Sequence, residues 1–194
     1  LPIYILDEVN NTNKVMGAAS KLWLHNSLKA LNVQLNGKLR FMRGNPQVLL
    51  PQLARKNNVI NVFWNRAYEP WRIRRDTALK NQLTNEGLKI QSFNGTLLWE
   101  PWQIMKKDGT PYKVFTPFYR KGCLQSGKPR EPIPSPGNIK YIRDHDGSLS
   151  LEQLKFLPNV NWDKKLESHW EIGEKGAHNR FQLFIKEGLS QYKE

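Results

Sequence analysis

Residues 59–76 read VINVFWNRAYEPWRIRRD. Val59 to Trp64 is a near-continuous apolar, β-favouring run, the pattern of a strand covered on both faces. Pro70 sits where a helix begins, since proline is pre-set for the first helical position. Between them runs a short polar loop. A strand, a short loop and a helix in this order make one half of a βαβ unit. The arginines raise a second question. Arg72, Arg74 and Arg75 lie in the first turns of the helix, where the backbone already carries partial positive charge. Either they face an anion bound at that helix start, or Glu69 and Asp76 neutralise them. They are one to three positions apart, so one helix face cannot hold all three. We assign Arg72 to a ligand and Arg75 to structure.

The same alternation extends on both sides. Upstream, Pro2 to Leu6 reads as a strand, residues 10–16 as a polar loop, and Ala18 to Leu35 as a helix. Leu24, Leu28, Leu31 and Leu35 form its apolar stripe, and Gly37 stops it. Leu39 to Arg43 is a second strand. Asn45 then caps a helix that starts at Pro46, ends near Lys56 and buries Val48, Leu49, Leu50 and Leu53. Downstream, the helix from Pro70 runs through Leu79 and Leu83 to Gly87, Lys89 to Phe93 is a fourth strand, and Asn94-Gly95 is a turn. The order βαβαβαβ predicts an α/β fold, a doubly wound, Rossmann-like, mostly parallel sheet with flanking helices. Ligands of such sheets sit beyond the carboxyl ends of the strands. The candidate loops are therefore 7–16, 65–75 and 94–102. No G-x-G-x-x-G or P-loop is present, which argues against an ordinary dinucleotide or nucleoside triphosphate site.

Past residue 100 the periodicity fades. Residues 103–143 hold nine Lys and Arg against two acids, and four prolines fall between Pro129 and Pro136. This is an irregular, basic segment. Ser150 to Leu157 forms a short turn capped by Ser150. Gly173 to Tyr192 has helical spacing through Ala177, Phe181, Phe184, Ile185 and Leu189, with little in this chain to pack on.

Composition narrows the function. The 194 residues carry 30 Lys and Arg against 17 Asp and Glu, a net charge of +13. Such an excess fits a polyanionic partner, nucleic acid first, or simple solubility. The one cysteine, Cys123, excludes an internal disulfide and points to a reducing, cytoplasmic setting. Cys123 has no base near it in sequence, and His25, His145, His169 and His178 have no metal-ligand spacing, so neither a thiol nucleophile nor a metal is expected. Asp144 and Asp146 flank His145 in what reads as a solvated loop. No run is long enough for a membrane span, and LPIYILDEVNN is a strand already under way, not a signal peptide.

Four blocks carry a resemblance: GAASKLWLHNSLKAL, FWNRAYEPWRIRRD, SFNGTLLWEPW and PYKVFTPFYRKGCL, in this order and spacing, followed by WEIGEKGAHNRFQLFIKEGLSQY. Together they resemble the N-terminal antenna domain of the DNA photolyase and cryptochrome family, class I deoxyribodipyrimidine photolyases in particular, over essentially the whole chain. The resemblance implies a photolyase-type α/β antenna domain over 1–124, an interdomain linker over 125–168 and the start of the helical FAD-binding domain over 169–194. Family members begin with one more strand, central in the sheet. Its absence here predicts a gap, with that strand supplied from elsewhere or the sheet distorted.

The resemblance further implies that the full-length protein repairs cyclobutane pyrimidine dimers in DNA. Light excites reduced FAD, which donates an electron to a dimer flipped into the helical domain. The N-terminal domain holds an antenna chromophore: a folate, a deazaflavin or a flavin. This fragment alone is expected to be inactive, to lack catalytic residues and to need the missing helical FAD domain as partner. In folate-binding members an Asn-Glu pair stands where this chain has Trp71 and Arg72, and a His where it has Gly17. These departures weigh against the folate pattern; Trp71 and Arg72 could instead stack on a flat ring and hold an anionic tail. Tyr192 falls where the family has a Tyr contacting FAD. Gly17, Trp71, Arg72 and Tyr192 are therefore the candidate cofactor-binding residues. The alternatives are a cryptochrome-type blue-light photoreceptor, a plain nucleotide-binding α/β module and a charge-driven DNA-binding fragment.

Overall fold

A computed structural model describes residues 1–9, 16–142 and 147–192. Along the chain run β1 (Ile3–Leu6), α1 (Ala18–Gln34), β2 (Arg40–Arg43), α2 (Pro46–Lys56), β3 (Asn61–Asn65), α3 (Pro70–Asn85) and β4 (Lys89–Phe93). This is the expected alternation. A helical turn at Phe115–Pro117, continued by a π turn at Phe118–Cys123, forms α4. Two further helices follow, α5 (Asp163–Glu167) and α6 (Glu174–Leu183), the latter prolonged by a π turn over Phe184–Gly188.

All strand pairing between named strands is parallel. β1 pairs with β2 from Ile3↔Arg40 to Leu6↔Arg43. β3 pairs with β4 from Asn61↔Lys89 to Asn65↔Phe93. The named strands thus form two two-stranded sheets, β1 with β2 and β3 with β4. The chain divides into two compact units, residues 1–49 with 140–194, and residues 50–139.

In the first unit, Leu28 of α1 packs with Leu39, Phe41, Leu151, Leu154 and Phe156, all buried, with Tyr4, Leu6, Leu24, Leu35 and Leu149 at the edge of the cluster. The buried face of α1 runs through Leu22, His25 and Leu28. Three of the four residues of the expected stripe, Leu24, Leu28 and Leu35, meet this cluster; Leu31 is 41% exposed, and Leu22 and His25 are buried beside them. The physical reason is the segment after Gly147. Leu149 bridges Phe41 in antiparallel fashion, its N–H donating to the Phe41 carbonyl at 2.8 Å. The following turn delivers Leu151, Leu154 and Phe156 to α1. Ser150 caps that turn as expected, its Oγ accepting from the Gln153 N–H at 3.3 Å while Gln153 Oε1 accepts from the Ser150 N–H at 2.7 Å. This is a reciprocal capping box. Asn36 and Gly37, both at positive φ, end α1.

In the second unit, α3 contributes the buried Leu79 and Leu83, and the end of α2 contributes Pro51, Leu53 and Ala54. Val48, which belongs to the first unit and was expected in the core, is 52% exposed. Strand β3 is not covered on both faces: Asn61, Phe63 and Asn65 are exposed and alternate with half-buried Val62 and Trp64. The apolar run mistakes two faces for one because Phe63 is hydrophobic yet 58% exposed. Ile104 and Cys123 add to the buried set of this unit.

Candidate functional site

The loop after β3 and the first turn of α3 present an indole with two guanidinium groups. Pro70 occupies the first helical turn after Glu69, whose side chain makes no capping hydrogen bond. The guanidinium carbons of Arg72 and Arg75 lie 5.1 Å and 5.2 Å from the centre of the Trp71 ring. Both are cation–π distances. The negative π face of one indole thus helps to hold two cations at a helix start that would otherwise repel them.

The two arginines differ in their carboxylate partners. Arg75 donates from Nε to Asp76 Oδ1 at 2.8 Å, with Nη2 at 2.7 Å from the same oxygen. Its side chain is 18% exposed. Arg72 reaches Glu69 Oε1 only at 3.6 Å, with 42% of its side chain exposed. The Arg72 Nε is buried without a hydrogen-bond partner. Arg75 is tied down, and Arg72 keeps donor capacity. Arg74 is exposed.

A second cluster, not singled out from the sequence, fixes this loop. Arg66 follows β3. Its Nη1 donates to Glu100 Oε1 at 2.9 Å and its Nη2 to the Ser92 carbonyl at 2.8 Å. Its backbone N–H donates to the Phe93 carbonyl at 2.8 Å. Tyr68 donates its hydroxyl to the other oxygen, Glu100 Oε2. Glu100 is buried, and the Arg66 guanidinium sits 5.4 Å from the Trp102 ring centre. Burial, reinforced by the hydrogen bond to the Glu100 carboxylate, pushes the Tyr68 hydroxyl above its ordinary pKa. Glu100 therefore gathers the ends of β3 and β4 and the loop leading to α3. The available signal was the acid in WEP at 99–101, flanked by aromatic residues where a buried carboxylate needs a partner.

The other predicted residues fall elsewhere. Gly17 is the residue before α1, in the first unit, at an ordinary φ of −64°. A side chain there would meet nothing within 4 Å. Tyr192 follows α6, is 73% exposed, and meets Phe184 edge-on at 6.1 Å. Asn94 is a turn former, its Oδ1 accepting from the N–H groups of Thr96 and Leu97 at 3.2 Å and 2.9 Å. Cys123 is buried and free. Asp144, His145 and Asp146 lie outside the described residues. Among the described residues no cluster of three His, Cys, Asp or Glu side chains could hold a metal ion. No helix among them is long and apolar enough to cross a membrane.

This fold matches a known family: the DNA photolyase family model matches residues 1–137. The chain belongs to the DNA photolyase family. It is 34% identical, over its whole length, to a deoxyribodipyrimidine photo-lyase of Agrobacterium fabrum, covering 40% of that protein. It is 31% identical to cryptochrome-1 of Arabidopsis thaliana, over 91% of this chain and 26% of that protein. A class III photolyase from Agrobacterium tumefaciens superposes with a TM-score of 0.85 at 34% identity, over 96% of this chain and 39% of that one. The photolyase of Sulfolobus tokodaii shares the fold, with a TM-score of 0.63 at 22% identity, over 81% of this chain and 35% of that one. The photolyase-family chain thus spans about two fifths of the length of the Agrobacterium relatives. The sequence resemblance pointed to class I members; the structural relative at 34% identity is class III.

Proposed function

We propose that this chain is the antenna-chromophore domain of a deoxyribodipyrimidine photolyase. The full-length protein repairs cyclobutane pyrimidine dimers in DNA by light-driven electron transfer from reduced FAD. The observation that supports this most is the TM-score of 0.85 to a class III photolyase over 96% of the chain. In this reading residues 1–124 form the antenna domain, 125–168 the linker and 169–194 the start of the FAD domain. The setting is the cytoplasm, the partners are damaged DNA and the helical FAD domain, and the 194 residues alone are inactive in repair.

The residues around Trp71 fit a flat, anionic chromophore of the folate, deazaflavin or flavin class. Trp71 offers an indole face for stacking, and Arg72 offers a cation whose Nε lacks a partner. When bound, such a group supplies absorption of near-UV or blue light. The chain's own part is to orient the ring and hold its charge, while the Arg66–Glu100–Tyr68 cluster holds the loop in place. Gly17 leaves open the space that a His would fill, and Tyr192 contacts FAD once the helical domain is present.

The test is the near-UV and blue absorption spectrum of the purified chain, before and after adding methenyl-folate, a deazaflavin or FMN in turn. A bound, shifted band with one of them supports the antenna role and names its occupant. Absence of a band with all three, in the full-length protein as well, overturns it. The identity of 31% to cryptochrome-1 supports a second reading, a blue-light photoreceptor on the same fold. Dimer repair by the full-length protein separates the two.

A further inference from the structure

The segment joining α5 to α6 builds a cleft that the photolyase reading does not use. It has a volume of about 440 Å³ and is lined by Trp162, Lys165, Leu166, His169, Trp170 and Arg180. All six belong to the first unit, and the cleft shares no residue with the Trp71 cluster.

Its chemistry is specific. Trp170 is anchored from one side by Trp23, whose ring meets it edge-on at 5.7 Å and 68°. It is nevertheless 49% exposed. The Arg180 guanidinium stands 6.0 Å from the same ring. None of the ion pairs formed by the described residues engages Lys165 or Arg180. The cleft is thus flanked by two cations without carboxylate partners. His169 lies just past the end of α5: its Nδ1 is 2.7 Å from the Lys165 carbonyl and 3.0 Å from Ser168 Oγ, whose own proton goes to that carbonyl at 2.9 Å. A carbonyl only accepts, so Nδ1 carries the proton and Nε2 is left as an acceptor in the neutral ring.

Aromatic faces bind flat rings, and unpaired cations bind the acid group attached to them. The volume lies within the range of small-ligand sites. We propose that this cleft binds a planar heteroaromatic ring bearing a phosphate, the mononucleotide unit. The ring stacks on the half-buried indole of Trp162 and the exposed indole of Trp170, the phosphate is held by Lys165 and Arg180, and His169 Nε2 accepts from an N–H of the base. Such a unit occurs free or as one unstacked residue of a nucleic acid strand, where bases stack on aromatic side chains in the same manner.

The experiment is a titration of the 194-residue chain with AMP, followed by the indole N–H signals of its tryptophans in NMR spectra. Adenosine and a short oligo-dT strand are run in parallel. AMP should shift the signals of Trp162 and Trp170, and adenosine should bind about a hundredfold more weakly, because it lacks both phosphate contacts. Lys165→Gln and Arg180→Gln should each weaken AMP about tenfold, because each removes one charge-assisted hydrogen bond. Tighter binding of oligo-dT than of AMP, with the same two signals moving, assigns the ligand to a nucleic acid strand; the reverse assigns a free nucleotide. The proposal is overturned if neither signal moves with any probe, or if both variants, folded by circular dichroism, bind AMP as the wild type does. Shifts confined to Trp71 and Trp102 also overturn it and leave the antenna reading untouched.

Discussion

Arg66 and Glu100 form a charge pair that ties the ends of two parallel strands to the loop leading into α3. The Nη1–Oε1 distance is 2.9 Å, with the Glu100 side chain only 8% exposed and that of Arg66 31% exposed. A carboxylate so enclosed depends on its partners, because a buried charge left unpaired costs far more than the pair contributes. Arg66→Met should therefore destabilise the chain by about 2–3 kcal/mol. Arg66→Met combined with Glu100→Gln should recover part of the loss. Urea unfolding of the three proteins checks both. Equal stability of Arg66→Met and wild type would remove the pair from the account of the site.

Arg72 and Arg75 flank one indole but should behave oppositely. Arg75 is enclosed and bound to Asp76, so Arg75→Gln should lower stability by about 1 kcal/mol. Arg72 is more exposed and loosely paired, so Arg72→Gln should change stability by less than about 0.5 kcal/mol. It should instead weaken retention of the chromophore. Unfolding midpoints, set beside the absorption titration, separate the two roles.

His25 makes stability depend on pH. Burial is the main cause that holds its imidazole below the ordinary value of 6.5, with Glu152 acting the other way. Its Nδ1 is buried without a partner. The folded state thus prefers the neutral ring, while the unfolded chain takes up a proton near 6.5. The contribution is present above that pH and is lost as pH falls through the lowered folded value. Urea midpoints should drop on going from neutral to mildly acidic buffer. The drop should be smaller in His25→Leu; an identical drop would assign the dependence to other groups.

Gly176 in α6 is required by space. A Cβ there would overlap the Glu171 carbonyl and come within 2.9 Å of the Glu171 Cβ. The obstacle is backbone, so it cannot swing aside. Gly176→Ala should cost about 1–3 kcal/mol and shift the start of α6, visible as a change in the Trp170 indole signal.

The sequence by itself determined the order of elements. β4 at Lys89–Phe93, α3 from Pro70 and α2 from Pro46 follow from alternation, proline placement and the caps at Asn45 and Gly87, which act within a few residues. It also pointed to Arg75 as a structural arginine, because its partner Asp76 is the next residue. The blocks from Gly17 to Leu124 were enough for the family. What only the tertiary structure decided depends on partners distant along the chain. The face of α1 that is buried was set by Leu151, Leu154 and Phe156 arriving from more than a hundred residues away. The exposure of Phe63 was set by what covers β3, which its own hydrophobicity does not report. Arg66, Tyr68 and Glu100 were invisible as a group because a charge pair across 34 residues leaves no period in the sequence. Hydrogen-bond geometry exists only once the strands have paired, and burial then makes that geometry matter.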